Sequence, residues 1–321
     1  MGETERKARK IRISNNMLIA LAAVLILTLA VAAFIIPRYG KVFAEFREQT
    51  KIYSSAHSEL TAQQERNAEL TKQLEEFRTL SGEIQTSSNE VFALAAQLEK
   101  DIQEGKTDKR ICYITIDDGP YKRGNEFLKI FNTYDIKATF FLSTANGNKL
   151  PDQGDVTAAS MYPEYLKYGH TIGNHSYSHD YSNGGIYKSA KAFMKDIEKQ
   201  QDFTAENTGG YRPKIIRFPG GTATAGSKLE DIQAALREAG YGWINWTVDS
   251  GDSFGSDVAT EKFVKENVLK AAKEDDQKIM VVLFHEWSKA SQAAMPEIIE
   301  TLESEGYVFL PLFYDSVMVE K

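Results

Sequence analysis

Residues 110–120 read RICYITIDDGP, and this stretch decides the fold of the chain that follows it. Residues 110–117 are rich in β-branched and aromatic side chains, a pattern that predicts a buried strand. The strand ends in two adjacent carboxylates, Asp117 and Asp118, which are followed by Gly119-Pro120. Asp-Gly and Gly-Pro are turn dipeptides, so this segment taken alone favours a turn over a functional site.

Downstream of this strand, further strands alternate with amphipathic helices. The predicted strands cover residues 110–117, 138–142, 171–174, 214–218, 242–248, 278–285 and 307–310, and the predicted helices cover about 123–134, 186–205, 227–239, 258–275 and 291–305. This alternation is typical of βα units on a parallel sheet or barrel. Because a complete eight-fold barrel typically needs ~250 residues, residues 107–321 predict an α/β domain with a shorter or incomplete barrel.

Four further polar clusters each follow a predicted strand. They are HSYSH at 175–179, RFPGG at 217–221, DSGD at 249–252 and HEW at 285–287. Each has an ordinary structural interpretation, as a surface loop, a strand-end turn or a structural histidine. The carboxyl ends of parallel strands lie together, however, and active sites of α/β barrels form there, so all the clusters are expected to meet at one rim.

The histidine pair predicts a metal site. His175 and His179 are four residues apart, which places both imidazoles on one face of a helical turn. The single cysteine, Cys112, excludes a multi-cysteine zinc site, so a carboxylate is the expected third ligand and Asp118 is the candidate. Two histidines and one carboxylate leave positions open for water, as in catalytic zinc sites. The donor set suits one divalent ion, Zn²⁺ first, with Co²⁺ and Ni²⁺ as alternatives.

With its motifs in this order, the sequence over roughly residues 108–315 resembles the NodB-like polysaccharide deacetylases, carbohydrate esterase family four. Within that family it is most similar to membrane-anchored bacterial peptidoglycan N-acetylglucosamine deacetylases. The resemblance implies a distorted (β/α)7 barrel. It also implies metal-dependent removal of N-acetyl groups from a sugar polymer, or of O-acetyl groups in some members.

The resemblance also implies roles for individual residues. Asp117 matches the general base, and Arg217 matches the arginine that pairs with it. Asp252 matches the carboxylate that tunes the general acid, His285. The other matches are the metal ligands Asp118, His175 and His179, the oxyanion and substrate positions Gly220 and Pro219, and the acetyl-pocket residue Leu283.

Three positions depart from the family pattern. Ile116 stands where the family usually has Phe, Ser253 where it has Trp, and Glu286 where it has Asp. The change at Ser253 removes an aromatic wall, which puts the substrate contacts there in doubt. None of the three changes alters an atom that performs the reaction.

A separate region, residues 17–36, reads MLIALAAVLILTLAVAAFII and contains no charged residue. As a helix it is about 30 Å long, which matches the core of a bilayer. Basic residues precede it: Arg6, Lys7, Arg9, Lys10 and Arg12. They predict a cytoplasmic tail over 1–16, a single-pass signal anchor in the cell membrane and an extracellular catalytic domain. Cleavage near the small residues 30–32 and a buried core helix are the alternatives.

Residues 41 to about 104 are polar and fit a heptad pattern whose two core columns are mostly apolar. This predicts a helical stalk with coiled-coil tendency over 37–106, and a homodimer formed through it. Asn67 lies in a core column, where a single buried Asn fixes register. One long solvated helix, or two helices folded back on each other, are the alternatives.

The net charge and the predicted location limit the binding partners and substrates that are expected. The net charge of −7 provides no basic surface for nucleic acid, so no such partner is expected. In a bacterium, peptidoglycan is the acetylated polymer nearest to an enzyme tethered outside the membrane, which predicts N-deacetylation of its N-acetylglucosamine. The alternatives are N-acetylmuramic acid, chitin-like oligomers, an acetylated exopolysaccharide, or a membrane-anchored scaffold that binds glycan without catalysis.

Overall fold

The computed structural model describes residues 15–121, 124–144, 158–255, 257–274 and 277–321. In these ranges the strands are β1 (Arg110–Gly119), β2 (Thr139–Leu142), β3 (Thr171–Asn174), β4 (Ile215–Ile216), β5 (Gly242–Trp243), β6 (Val248–Asp249), β7 (Ile279–His285) and β8 (Tyr307–Phe309). The helices are α1 (Asn15–Gln103), α2 (Gly124–Thr133), α3 (Ala158–Lys167), α4 (Ala190–Asn207), α5 (Leu229–Glu238), α6 (Glu261–Glu274) and α7 (Lys289–Ser304). Short 3₁₀ segments cover Ser182–Lys188 and Thr222–Lys228.

The strands form one parallel sheet in the order β5-β4-β3-β2-β1-β7-β6, and β8 pairs with the first residues of β1. β5 and β6 follow each other in the chain but lie at opposite ends of this order. The sheet is therefore a curled half-barrel that stays open between these two strands. The predicted α/β fold with an incomplete barrel is confirmed.

The prediction of one continuous strand over 242–248 is wrong. The segment is divided between β5, which pairs with β4, and β6, which pairs with β7. Arg217 explains the division, because its Nε donates to the carbonyl of Ile244 (3.4 Å) and its Nη2 to the carbonyl of Asn245 (2.9 Å). These carbonyls serve a buried guanidinium instead of a strand ladder, and the chain crosses the gap of the half-barrel here.

β1 lies at the centre of the sheet and is buried along most of its length. Cys112, Ile114 and Ile116 pack on its outer face against apolar side chains of the surrounding helices, whereas Ile111 and Tyr113 pack in a separate inner cluster. Because side chains alternate along a strand, Thr115 and Asp117 belong to the same inner face as Tyr113. The hydrophobic pattern of β1 therefore aims Asp117 into the half-barrel.

Among the described residues of the domain, the helix α3 is absent from the sequence prediction. α3 contains Pro163 and turns a face of methionine and tyrosine to the core, with Met161, Tyr162 and Tyr165 buried. Proline within the segment and few aliphatic residues conceal the helical period. By contrast, α4 and α7 begin at side-chain caps. The Ser189 hydroxyl accepts from the Ala192 amide, and the Ser288 hydroxyl accepts from the Ser291 amide.

The end of α1 packs beneath the sheet. Ala95 and Ile102 are buried, and the buried Glu99 carboxylate accepts hydrogen bonds from Tyr113 Oη (2.7 Å), Ser316 Oγ (2.5 Å) and the Val317 amide (3.1 Å). These residues belong to a compact unit that extends from Glu76 to Lys321. Part of the segment assigned to the stalk by sequence thus closes the base of the half-barrel.

The preceding unit contains an apolar helix. Within α1, Met17–Glu69 includes an exposed stretch with a mean hydropathy of 3.0. By length and composition, this part of the helix is long and apolar enough to cross a membrane. A signal sequence near an N-terminus has the same properties. Residues 1–14 of the predicted tail and the side chains at 70 and 73–88 of the predicted heptads lie outside the described part of the chain.

Candidate active site

The five polar clusters meet at the carboxyl end of the sheet. Strand register places Asp117 of β1 opposite His285 of β7. The Arg217 amide donates to the Asn174 carbonyl at 3.0 Å, so the residues that follow β3 and β4 run side by side. The predicted rim of ionisable side chains is therefore assembled from five separate segments.

Asp118, His175 and His179 form a cluster that can hold a metal ion. Asp118 Oδ1 lies 3.1 Å from His179 Nε2 and 3.5 Å from His175 Nε2, and the two Nε2 atoms are 3.3 Å apart. Burial alone would raise the pKa of the Asp118 carboxyl, but the two imidazoles hold that pKa well below its usual range. Burial lowers the pKa of His175, yet Asp117 and Asp118 raise it overall.

The donor atoms of this cluster fit a divalent cation. His175 Nδ1 lies 2.9 Å from the Arg217 carbonyl, which can only accept, so Nδ1 carries the proton and Nε2 presents a lone pair. Asp118 Oδ1 is buried and accepts no well-aligned hydrogen bond from the described residues. Ligand bonds of ~2.0–2.1 Å in a tetrahedral site separate ligand atoms by about 3.4 Å, close to the three distances measured here.

The turn that carries the histidines is a bend, not the helical turn that their spacing predicts. Ser176 and His179 adopt left-handed backbone angles, with φ of 68° and 49°, as does Asp118 with φ of 68°. Non-glycine residues rarely adopt this conformation, and such strain persists only where surrounding contacts hold it. Here Asp196 Oδ2 accepts from the amides of Tyr177 (2.7 Å) and Ser178 (3.0 Å) and holds the bend.

Asp117 forms a buried ion pair with Arg217. Arg217 Nη1 lies 3.1 Å from Asp117 Oδ1 and donates to Thr115 Oγ1 at 2.6 Å. Its guanidinium carbon lies 4.2 Å from the ring centroid of Phe141. Burial lowers the pKa of Arg217, and the charge of Asp117 opposes that change. These contacts hold the guanidinium in place, and its Nη1 in turn holds the Asp117 carboxylate.

His285 is paired with Asp252 on the opposite side of the rim. His285 Nδ1 lies 2.7 Å from Asp252 Oδ1, and Asp252 Oδ2 accepts from the His285 amide (2.8 Å) and from Ser291 Oγ (2.6 Å). Burial alone would lower the pKa of His285. Asp252, with Asp118 and Asp117 at longer range, raises it to about 9.

Three predicted residues have no such contact with the ionisable groups. Leu283 is buried on β7, two residues before His285 and opposite Thr115 of β1. Pro219 and Gly220 follow β4, with Pro219 buried and Gly220 exposed at a φ of +74°. No described hydrogen bond joins these three to the carboxylates or histidines of the rim, so their roles stay predictions.

The structure adds partners that sequence reasoning did not assign. Trp287 Nε1 donates to Asp118 Oδ2 at 2.8 Å. Glu286 is buried, accepts from Tyr165 Oη (2.6 Å) and contacts the Tyr121 amide. Burial raises the pKa of Glu286 to about 8, against the lowering effect of these hydrogen bonds. Glu286 is held by neutral donors and does not belong to the metal cluster.

The sequence could have indicated two further partners, Thr115 for Arg217 and Ser291 for Asp252. Thr115 shares the inner face of β1 with Asp117 because the two are two residues apart. Ser291 lies in the first turn of α7, directly after the cap at Ser288. For Trp287 and Asp118, the sequence predicts only that their clusters share a rim, and the fold decides that the indole N–H pairs with this carboxylate.

Comparisons with known proteins agree with this arrangement. The sequence profile of the polysaccharide deacetylase family matches residues 104–244. The chain is 31% identical over 206 residues to a peptidoglycan-N-acetylglucosamine deacetylase of Bacillus cereus, an alignment that covers 63% of this chain and 69% of that protein.

Two solved structures resemble the fold. The catalytic domain of a peptidoglycan N-acetylglucosamine deacetylase from Eubacterium rectale superposes with a TM-score of 0.58 at 30% identity, over 66% of this chain and 93% of that one. A polysaccharide deacetylase from Bacillus cereus superposes with a TM-score of 0.55 at 29% identity, over 65% of this chain and 94% of that one. The alignments extend over most of each solved chain.

Proposed function

The chain belongs to the polysaccharide deacetylase family, and we propose that it removes N-acetyl groups from the N-acetylglucosamine residues of peptidoglycan. The observation that carries the proposal is the joint presence, at one rim, of a metal-ligand triad, a buried carboxylate and a His-Asp pair. A protein that only bound glycan would not need all three. Peptidoglycan is favoured because similar proteins from Bacillus cereus and Eubacterium rectale are named for that substrate.

Asp118, His175 and His179 would hold one divalent cation, and we favour Zn²⁺ over Co²⁺ and Ni²⁺ for this donor set. A bound cation supplies Lewis acidity to the acetyl carbonyl and to the attacking water. Two side chains of the protein, Asp117 and His285, then carry out the proton transfers.

Asp117 is the proposed general base. Its Oδ1 is held by Arg217, whereas Oδ2 faces the histidine cluster, 3.7 Å from His175 Nε2. Oδ2 is therefore the oxygen that takes the proton from the attacking water. Arg217 acts by holding this carboxylate in one orientation.

His285 is the proposed general acid for the leaving amine. Asp252 binds its Nδ1, so Nε2 is the nitrogen that gives up a proton. With a pKa of about 9, the imidazole is cationic at neutral pH, as a proton donor must be. Within this proposal, the Gly220 amide, beside Pro219, supports the oxyanion, and Leu283 lines the acetyl pocket.

We also propose a location for the enzyme. Residues 17–36 anchor it in the cell membrane, residues 1–16 lie in the cytoplasm, and the catalytic domain over 107–321 lies outside. Residues 37–106 form the stalk, whose last part packs on the catalytic domain and whose earlier part can pair with a second copy. The exposed apolar span within α1 supports the anchor. Intact-mass measurement of the protein from washed membranes tests it, because cleavage near 30–32 would remove the span.

The activity is tested with full-length protein in detergent, loaded with Zn²⁺ and incubated with purified peptidoglycan and with chitotetraose. We expect loss of acetyl mass from N-acetylglucosamine in the muropeptides, together with released acetate. Deacetylation of N-acetylmuramic acid, or of chitotetraose alone, would overturn the assigned substrate. Glycan binding without acetate release would favour the scaffold.

A further inference from the structure

Trp287 contacts both halves of the candidate active site. Its Nε1 donates to Asp118 Oδ2 at 2.8 Å, and its ring centroid lies 5.1 Å from that of His285 with the planes tilted by 30°. One indole thus touches a candidate metal ligand and the candidate general acid. The geometry is specific, since it combines a directed hydrogen bond with a ring contact.

The hydrogen bond gives the two oxygens of the Asp118 carboxylate different surroundings. Oδ2 is occupied by the indole, whereas Oδ1 points at the two histidines and has no well-aligned donor among the described residues. A carboxylate held in this way offers one oxygen to a cation in one orientation. Outer partners that orient a ligand typically change metal affinity or activity ~10–100-fold when they are removed.

The indole also keeps a free surface. Trp287 is 36% exposed, whereas Trp243 is 1% exposed and Trp246 is partly buried. Phe254, the exposed aromatic residue on the loop after Asp252, packs against Phe263. Binding sites combine apolar and aromatic surface with a few polar groups, and an exposed indole beside the acid provides such a surface for a sugar ring.

We propose that Trp287 is the positioning residue for Asp118 and that its exposed face stacks on a pyranose ring of the glycan. The first role concerns the metal site alone, and the second rests on the proposed function. Substitution by Phe removes the N–H and keeps an aromatic ring, whereas substitution by Leu removes both, so the two roles are separable.

The experiment compares Trp287→Phe, Trp287→Leu and the control Phe254→Leu in the full-length protein. Zn²⁺ affinity is measured by competition with a chromophoric chelator, and KM is measured with chitotetraose. We expect both Trp287 variants to bind Zn²⁺ ~10–100-fold more weakly. At saturating Zn²⁺, KM should rise about 5–10-fold in Trp287→Leu and less than about 2-fold in Trp287→Phe and the control.

Several outcomes would overturn the proposal. Wild-type Zn²⁺ affinity in Trp287→Phe would remove the positioning role, and equal KM values in the two Trp287 variants would remove the stacking role. Melting temperatures of the metal-free proteins should be unchanged. If both Trp287 variants melted at a lower temperature and also bound Zn²⁺ more weakly, the role of Trp287 would be merely structural. If the wild type releases no acetate, the proposed function fails, while chelator competition and calorimetric binding of chitotetraose still test Trp287.

Discussion

Strand β1 has a buried carboxylate network near each of its ends. At the base, Glu99 accepts from the hydroxyls of Tyr113 and Ser316 and from a main-chain amide, so both carboxylate oxygens are used by neutral donors. At the rim, Asp117 and Asp118 face a guanidinium and two imidazoles, and Asp118 Oδ1 lacks a well-aligned donor among the described residues. The partners differ although the strand is the same.

The difference separates stability from function. A buried carboxylate whose acceptors are satisfied by hydroxyls and amides has no capacity left for a ligand, and it ties elements together. A buried carboxylate with a spare oxygen beside imidazole lone pairs is costly unless a cation or substrate completes it. We expect substitution of Asp117 or Asp118 at the rim to remove activity, and substitutions at the base to lower the free energy of unfolding.

Asp117→Asn should have the largest effect. The amide cannot accept the proton from water, so we expect kcat to fall about 10³–10⁴-fold, at the upper end of general-base effects. Acetate release from chitotetraose measures the loss, and bound Zn²⁺ should stay at one per chain. The control is Asp249→Asn, a rim carboxylate that accepts from the Gly251 amide at 2.8 Å. Equal activity of the two variants would contradict the assigned base.

Asp252→Asn should have the next largest effect, a loss of ~10²-fold in kcat. Asp252 raises the pKa of His285 to about 9, so its removal lowers that pKa. The donor form of His285 is lost as pH rises through its pKa, and the alkaline limb of the kcat profile should therefore move to lower pH. An unmoved limb would show that another group sets it.

The pair of His285 and Asp252 also affects stability, and the raised pKa of His285 determines how that contribution changes with pH. Because the folded-state pKa of His285 is raised, the pair stabilises the fold fully below the unfolded value of ~6.5, and the benefit is lost as pH rises through about 9. The difference in unfolding free energy between the metal-free wild type and Asp252→Asn should therefore shrink between these pH values. Urea unfolding at pH 6 and pH 9.5 measures it.

Glu99→Ala should change stability and leave the chemistry intact. It leaves two buried hydroxyls and one main-chain amide without their acceptor, so we expect the free energy of unfolding to fall by about 2–4 kcal/mol. Tyr113→Phe removes one donor of the same network and should cost about 1 kcal/mol. Glu90→Ala, on an exposed position of α1, is the matched control. A large loss of kcat in folded Glu99→Ala would erase the distinction between base and rim.

Glu286→Gln should have the smallest effect, although Glu286 lies next to His285. Its donors are neutral, as at the base, so we expect kcat and Zn²⁺ affinity within about 3-fold of wild type. The raised pKa of about 8 means that Glu286 stabilises the fold below ~4.5 and that this benefit is lost as pH rises through about 8. Relative to the variant, the metal-free wild type should lose stability over that range.

Much of the site was predictable because it follows the ends of strands. The β-branched and aromatic residues of 110–117 predict a buried strand that ends in Asp117 and Asp118. The order of the polar clusters predicts that they share a rim. The division of 242–248 was not predictable, because it depends on the Arg217 guanidinium, which recruits two carbonyls from a distant segment.

The sequence by itself determined the apolar N-terminal helix, the α/β class and the residue types at the rim, because periodicity, composition and motif order are local properties of the chain. Only the tertiary structure decided which atoms meet. The spare oxygen of Asp118, the indole of Trp287 that holds its other oxygen, and the saturated Glu99 at the base all depend on contacts between residues far apart in sequence. Hydrogen-bond partners are set by packing in three dimensions, and that packing separates the carboxylates open to chemistry from those that hold the fold.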